Sequence, residues 1–226
     1  MKNSSFLNAK RYALHATGGF ALLELLTAVA IFGIITSVVL VTYSKVSEQL
    51  FVSTLAYEVA LSFRQAQSYG VSVKQFKGGG TSTFDAGYGI HFSKTDPSHY
   101  VLFADGKAEG NQLYEYDGED TSSGCTSGTE CVSVFKIERK NFVKKFCAIR
   151  SDTGAEECTS GTAVGIDFLN VLFVRPNPDA IIVTDKSNES GKYNLARYRT
   201  ARVVISSPSG MERSIEVWNT GQISVK

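Results

Sequence analysis

Between Phe20 and Val41 the chain reads FALLELLTAVAIFGIITSVVLV, a run without proline or a basic residue and with one acid, Glu24. Its apolar positions show no polar face, and as a helix it would be about 33 Å long, enough for a hydrocarbon core of about 30 Å. Further on the pattern narrows to a stripe. Val52, Leu55, Ala56, Val59, Phe63 and Ala66 recur at three- and four-residue spacing, with Ser53, Thr54, Glu58, Ser62 and Gln65 on the other side. That period predicts an amphipathic helix packed along one face, too short for a coiled-coil seam, with Gly70 as its stop. Beyond Gly70 short alternating runs broken by Gly, Asn, Asp and Pro predict strands and turns. The strands fall at Tyr88 to Phe92, Tyr100 to Phe103, Val132 to Ile137, Phe142 to Ala148, Val164 to Val174, Ala180 to Thr184, Ala201 to Ser206, Ser214 to Trp218 and Gln222 to Val225. The expected fold is α+β: a long N-terminal helix, half transmembrane and half amphipathic, packed on a mostly antiparallel sheet. The expected divisions are a leader at 1–19, the helix at 20–69 and a β-rich head at 70–226.

Charge sharpens the reading of the first segment. The chain is near neutral, with 23 basic and 22 acidic residues, and this gives no general attraction to nucleic acid or membrane surfaces. Lys2, Lys10 and Arg11 nonetheless precede the apolar run with no acid among them, which places the N-terminus in the cytoplasm and the head outside. A secretory signal peptide would show a small-residue cleavage site after the run, and VLVTYSKVSEQ offers none. Small residues stand before it instead, at Thr17, Gly18 and Gly19. A cut there would remove the charged leader and keep the apolar helix. Glu24 is the second anomaly, because an intramembrane carboxylate needs a partner. A cut before Phe20 would release an α-amine a few residues away, on the same helix or on a neighbouring one.

Gly19, Phe20 and the Leu22-Leu23-Glu24 triplet, set between a basic leader and an apolar helix, closely resemble the prepilin cleavage motif of type IV pilins and type II secretion pseudopilins. The resemblance implies that a membrane-bound prepilin peptidase cuts after Gly19, that Phe20 is then N-methylated, and that Glu24 docks the subunit during assembly. Ala21 stands where threonine is frequent in that family. Gly33 agrees with a common mid-helix glycine, and Val41 occupies the place of a frequent proline. The motif covers about the first 45 residues; the remainder resembles the family in layout alone. The implied function is that of a major or minor structural subunit of a pilus or secretion filament. Its partners would be other pilin subunits, the prepilin peptidase, an inner-membrane assembly platform and, before assembly, membrane lipid. The implied location is the cytoplasmic membrane, crossed once, and then a filament in the periplasm or at the cell surface. The alternative is a tip subunit acting as an adhesin or in DNA uptake.

The four cysteines, Cys125, Cys131, Cys147 and Cys158, contain no CxxC pair, and no histidine lies among them to complete a zinc set. Disulfides are expected. Of three pairings, Cys125 with Cys131 and Cys147 with Cys158 close the shortest loops. No cofactor or metal and no enzymatic activity are expected. The histidines, His15, His91 and His99, accompany no nucleophile-elbow sequence. Gly78-Gly79-Gly80 lacks the Lys-Ser/Thr ending of a phosphate loop. Glu115, Asp117, Glu119 and Asp120 lack EF-hand spacing and read as a solvated loop. Lys192, Tyr193, Arg197, Tyr198, Arg199 and Arg202 interleave cations with aromatic rings, the combination that grips single-stranded nucleic acid. A polar strand face is the preferred reading of that stretch, so nucleic acid is the less favoured partner.

Overall fold

The computed structural model describes residues 21–72, 74–78, 81–84, 86–105, 124–125, 130–159, 165–189 and 192–226. They fall into two units, one ending at Lys45 and one beginning at Val46. A single helix, α1 (Leu22–Val71), supplies the described part of the first and opens the second. In the first unit the apolar side chains are exposed, with Leu22, Phe32 and Val41 at 81%, 71% and 66%. This helix is long and apolar enough to cross a membrane. Thr27, Thr36 and Thr42 return their hydroxyls to carbonyls three or four residues back, so they add no unsatisfied polar group to that surface.

The second unit is held by one large core cluster and two small ones. Its strands are β1 (Phe76–Gly78), β2 (Thr81–Thr83), β3 (Gly87–Ser93), β4 (His99–Asp105), β5 (Cys131–Lys136), β6 (Phe142–Arg150) and β7 (Glu156–Cys158), then β8 (Phe168–Phe173), β9 (Ala180–Thr184), β10 (Asn188–Glu189), β11 (Lys192–Tyr193), β12 (Tyr198–Ser206), β13 (Glu212–Trp218) and β14 (Ile223–Val225). Instead of one large sheet they form two five-stranded sheets, ordered β5-β4-β3-β8-β9 and β14-β13-β12-β6-β7, and every pairing within them is antiparallel. The pairs β1-β2 and β10-β11 stand apart as two-stranded ladders. The helix's buried stripe, Leu55, Ala56, Val59, Ala60, Phe63 and Ala66, shares its cluster with Ile90, Phe92 and Leu102 of one sheet and with Phe146, Val203 and Ile215 of the other. At about 1.5–3 kcal/mol for each large apolar side chain removed from water, this shared core is what fixes the stripe against both sheets.

Each predicted strand matches an observed one, with ends moved by a few residues. The largest shift is at Val164 to Val174, whose described strand is Phe168–Phe173. The helix runs one residue past Gly70, whose lack of a side chain serves close packing: a Cβ there would lie 2.2 Å from the Phe173 carbonyl oxygen. The outward face of the stem is less polar than its sequence suggested. Ser62 is buried and its hydroxyl lies 3.0 Å from that of Tyr100, while Leu50, Tyr57 and Leu61 stand exposed at 62%, 62% and 61%.

Candidate assembly and binding sites

Glu24 sits in the first turn of α1, where a carboxylate is favoured by the unsatisfied amides of a helix start. The Glu24 amide donates to the Ala21 carbonyl at 2.9 Å. No other charged residue lies between Leu22 and Tyr43, so the described part of the apolar run holds nothing to neutralise it. Gly19 and Phe20, the expected junction, lie outside the described residues, as do His15, Gly79, Gly80 and the acidic residues Glu115, Asp117, Glu119 and Asp120.

The cysteines form two disulfides of short span, Cys125–Cys131 and Cys147–Cys158. The second joins directly opposed residues of β6 and β7 and so ties a three-residue edge strand to its sheet. Glu156 lies close enough to both sulfurs to make a metal-like trio, but the disulfide uses the thiolates that such a site would need.

Among the described residues the interleaved stretch is only partly exposed. Lys192 lies in β11 and Arg197, Tyr198, Arg199 and Arg202 in or beside β12. Tyr198 is the decisive member, because its ring is 1% exposed and cannot stack on a base. Its hydroxyl donates to the Glu157 carboxylate and lies 3.1 Å from the Thr184 hydroxyl, bridging β7, β12 and β9. Burial and the hydrogen bond to Glu157 push the Tyr198 phenol up to about 12, so it remains a donor at any ordinary pH. Arg197 lies 3.2 Å from the same carboxylate, and Arg202 is shared between Glu156 and Glu216. Arg199 is exposed. Two of the four cations that sequence spacing offered to a phosphate backbone, Arg197 and Arg202, are thus committed to acids of the same protein. Glu157 and Glu216 carry no motif, and only their places in the strand register reveal them.

The Arg202 cluster has a measurable consequence. Glu216 is 5% exposed at its side chain, 2.9 Å from Arg202 and 2.7 Å from Lys226. Burial pushes its carboxyl up, but the hydrogen bonds and charges of Lys226 and Arg202 outweigh this and hold it below the usual carboxylate range. Such a group adds stability that is complete above its unfolded-state value and is lost as pH falls through the folded one. Urea midpoints should therefore decline as pH drops below about 4.5, and Glu216→Gln should remove on the order of 1 kcal/mol of that decline. Identical slopes in the two proteins would contradict the assignment.

Among the described residues, His91 and His99 make no serine-histidine-acid relay. His91 Nδ1 lies 2.6 Å from the Asn170 amide oxygen in the outer layer of its sheet. Ser98, Asp96 and His99 meet, but the serine hydroxyl and the carboxylate both approach Nδ1, at 3.0 and 2.8 Å. A general base needs the serine on one ring nitrogen and the acid on the other; here the trio closes a turn. The cavity beside them, lined by His91, Ser93, Asp96 and His99, measures about 10 Å³, room for roughly one water.

Another concentration of charge carries no motif. Lys136, Arg139, Lys140, Lys144 and Lys145 crowd a stretch with one acid, Glu138, and the structure makes it the β5-to-β6 connection. Its signal was charge density alone.

No family model, no curated protein and no solved structure matches this chain.

Proposed function

We propose that this chain is a structural subunit of a type IV pilin-like or secretion-type filament, anchored in the cytoplasmic membrane by α1 before assembly and held by the same helix afterwards. The observation that carries the reading is the Gly19–Phe20 junction with Glu24 the fifth residue counted from Phe20, in the first turn of a helix whose first half is apolar all round. Burial supports it: the hydrophobic window of α1 is 0% buried within the chain, so its cover must come from lipid or from other chains. Leu50, Tyr57 and Leu61 extend apolar exposure along the stem, as packing against neighbouring subunits requires.

The mechanism is a transfer between two apolar surroundings. In lipid, Glu24 is an unpaired carboxylate; among neighbouring helices it meets the α-amine of a processed Phe20, and the pair replaces an expensive isolated charge. Processing by a prepilin peptidase creates that amine and N-methylation leaves it cationic. Assembly on an inner-membrane platform places the head at the filament surface. The DNA-uptake variant has less support, since Tyr198 is in the core and Arg197 and Arg202 are paired with acids. Intact mass and N-terminal sequencing of the chain from cells that contain a prepilin peptidase test the reading. The expected product begins at N-methylated Phe20, and Gly19→Val should leave the leader attached. A mature chain beginning elsewhere would overturn it.

A further inference from the structure

We infer that the β5-to-β6 connection, Lys136 to Lys145, binds the phosphate headgroups of anionic phospholipid and seats the head on the membrane before assembly; this rests on the proposed membrane anchoring. The tip of the connection is a tight turn in which the Asn141 amide reaches the Glu138 carbonyl at 3.3 Å. Both central residues, Arg139 and Lys140, adopt φ of 61°. This left-handed pair is the conformation that Asn-Gly enters readily and that long side chains enter at a steric cost. Two cations therefore occupy positions where local conformation favours other residues, and a backbone held against its preference is a pointer to function. Both are exposed.

The fold also fixes where they are. The Arg139 guanidinium lies 3.6 Å from the centre of the Phe51 ring on α1. The same part of the helix is touched by the β12-to-β13 turn, where Ser209 bonds to Glu48, and by the start of β13, where Arg213 lies 3.2 Å from Ser53. The connection thus reaches the stem at Phe51. Nine residues lie between Phe51 and Val41, the end of the apolar run, and a chain of that length spans at most about 36 Å. A lipid surface is therefore the anion that the tether itself brings near. Local acids do not cancel the patch. Glu138 lies 3.7 Å from Lys136 and Glu212 pairs with Lys144, which leaves Arg139, Lys140 and Lys145 without an acid partner among the described residues. Phe142, 37% exposed, adds an apolar edge of the kind that enters an interface. Basic segments near a membrane gain affinity from each cation that reaches the headgroup layer.

The test uses the full chain in lipid nanodiscs, either phosphatidylcholine alone or with about one third phosphatidylglycerol, with amine labelling of individual lysines read by mass spectrometry. Labelling of Lys140 should slow about fivefold in the anionic discs and recover in about 0.5 M salt. The double variant R139N/K140G supplies the preferred turn sequence, so the turn should stay folded while the slowing at Lys136 and Lys145 drops below about twofold. Incorporation with equal labelling in both lipids overturns the inference and leaves the anchor standing. Failure to enter either disc overturns the anchor reading. Unchanged slowing in the variant, or protection by an added oligonucleotide but not by anionic lipid, removes the assignment to headgroups.

Discussion

A Glu24→Ala subunit is expected to enter the membrane and lose its leader as the wild type does, yet to appear in sheared filaments at about one hundredth of the wild-type level. The magnitude follows from where the carboxylate spends its energy. An acidic side chain within a spanning helix costs about 2.5–3.5 kcal/mol on insertion scales, and Glu24 has no opposite charge on the described helix between Leu22 and Tyr43. A pair formed with a neighbouring α-amine recovers that cost on assembly, and 1.4 kcal/mol is tenfold, so roughly two orders of magnitude in incorporation depend on it. Alanine makes the membrane-inserted state easier to reach and removes the gain from leaving it. Glu24→Gln separates charge from hydrogen bonding: it retains a polar group that can bond across helices, worth about 0.6–2 kcal/mol in membranes, and should restore only part of the yield. Immunoblots of filament and membrane fractions measure both. Equal yields for all three proteins would remove the docking role from Glu24.

The helix was legible in the sequence because its two halves differ in period, a continuous apolar run and then a stripe from Val52 to Ala66. The longer strands were legible through alternation. The missing strands, β1, β2, β7, β10 and β11, have two or three residues each, too few to show an alternation. The division into two sheets was hidden for another reason. A period of two tells which residues share a face but not which sheet they belong to, and β5 and β6, adjacent in sequence, lie in different sheets. Bulges did the remaining damage. The register with β6 shifts between Tyr198 and Thr200, so Tyr198 faces the same core as the odd-numbered Ala201, Val203 and Ile205. Strict alternation from those residues puts Tyr198 outside, on the polar strand face that the sequence suggested, whereas it lies in the core. The same parity change between Val204 and Ile205 lets Val143 and Phe146 both point inward on β6.

Gly70→Ala should destabilise the second unit by about 2–3 kcal/mol and lower its thermal midpoint by about 5–10 °C. Helix propensity alone argues for the opposite sign, since alanine is better than glycine in a helix interior by about 1 kcal/mol. Space decides against it. The added Cβ would sit 2.2 Å from the Phe173 carbonyl oxygen and 2.8 Å from its carbon. That obstacle is the backbone of the last residue of β8, paired on both sides, where Phe173 opposes Tyr88 on one side and Ala180 on the other. It cannot swing away as a side-chain tip could, so either the last turn of α1 lifts from the sheet or β8 shifts against both neighbours. Gly33 is the control. A Cβ there meets no atom within 4 Å, and Gly33→Ala should leave the thermal midpoint within about 1 °C of wild type. If filament yield nevertheless falls for Gly33→Ala, the close approach that this glycine permits is made by a neighbouring helix, as small residues allow between membrane helices. Differential scanning calorimetry of the solubilised subunits, run beside filament yield, separates a glycine needed for folding from one needed for assembly. A Gly70→Ala midpoint at or above wild type would show that the helix end can move off Phe173 without cost.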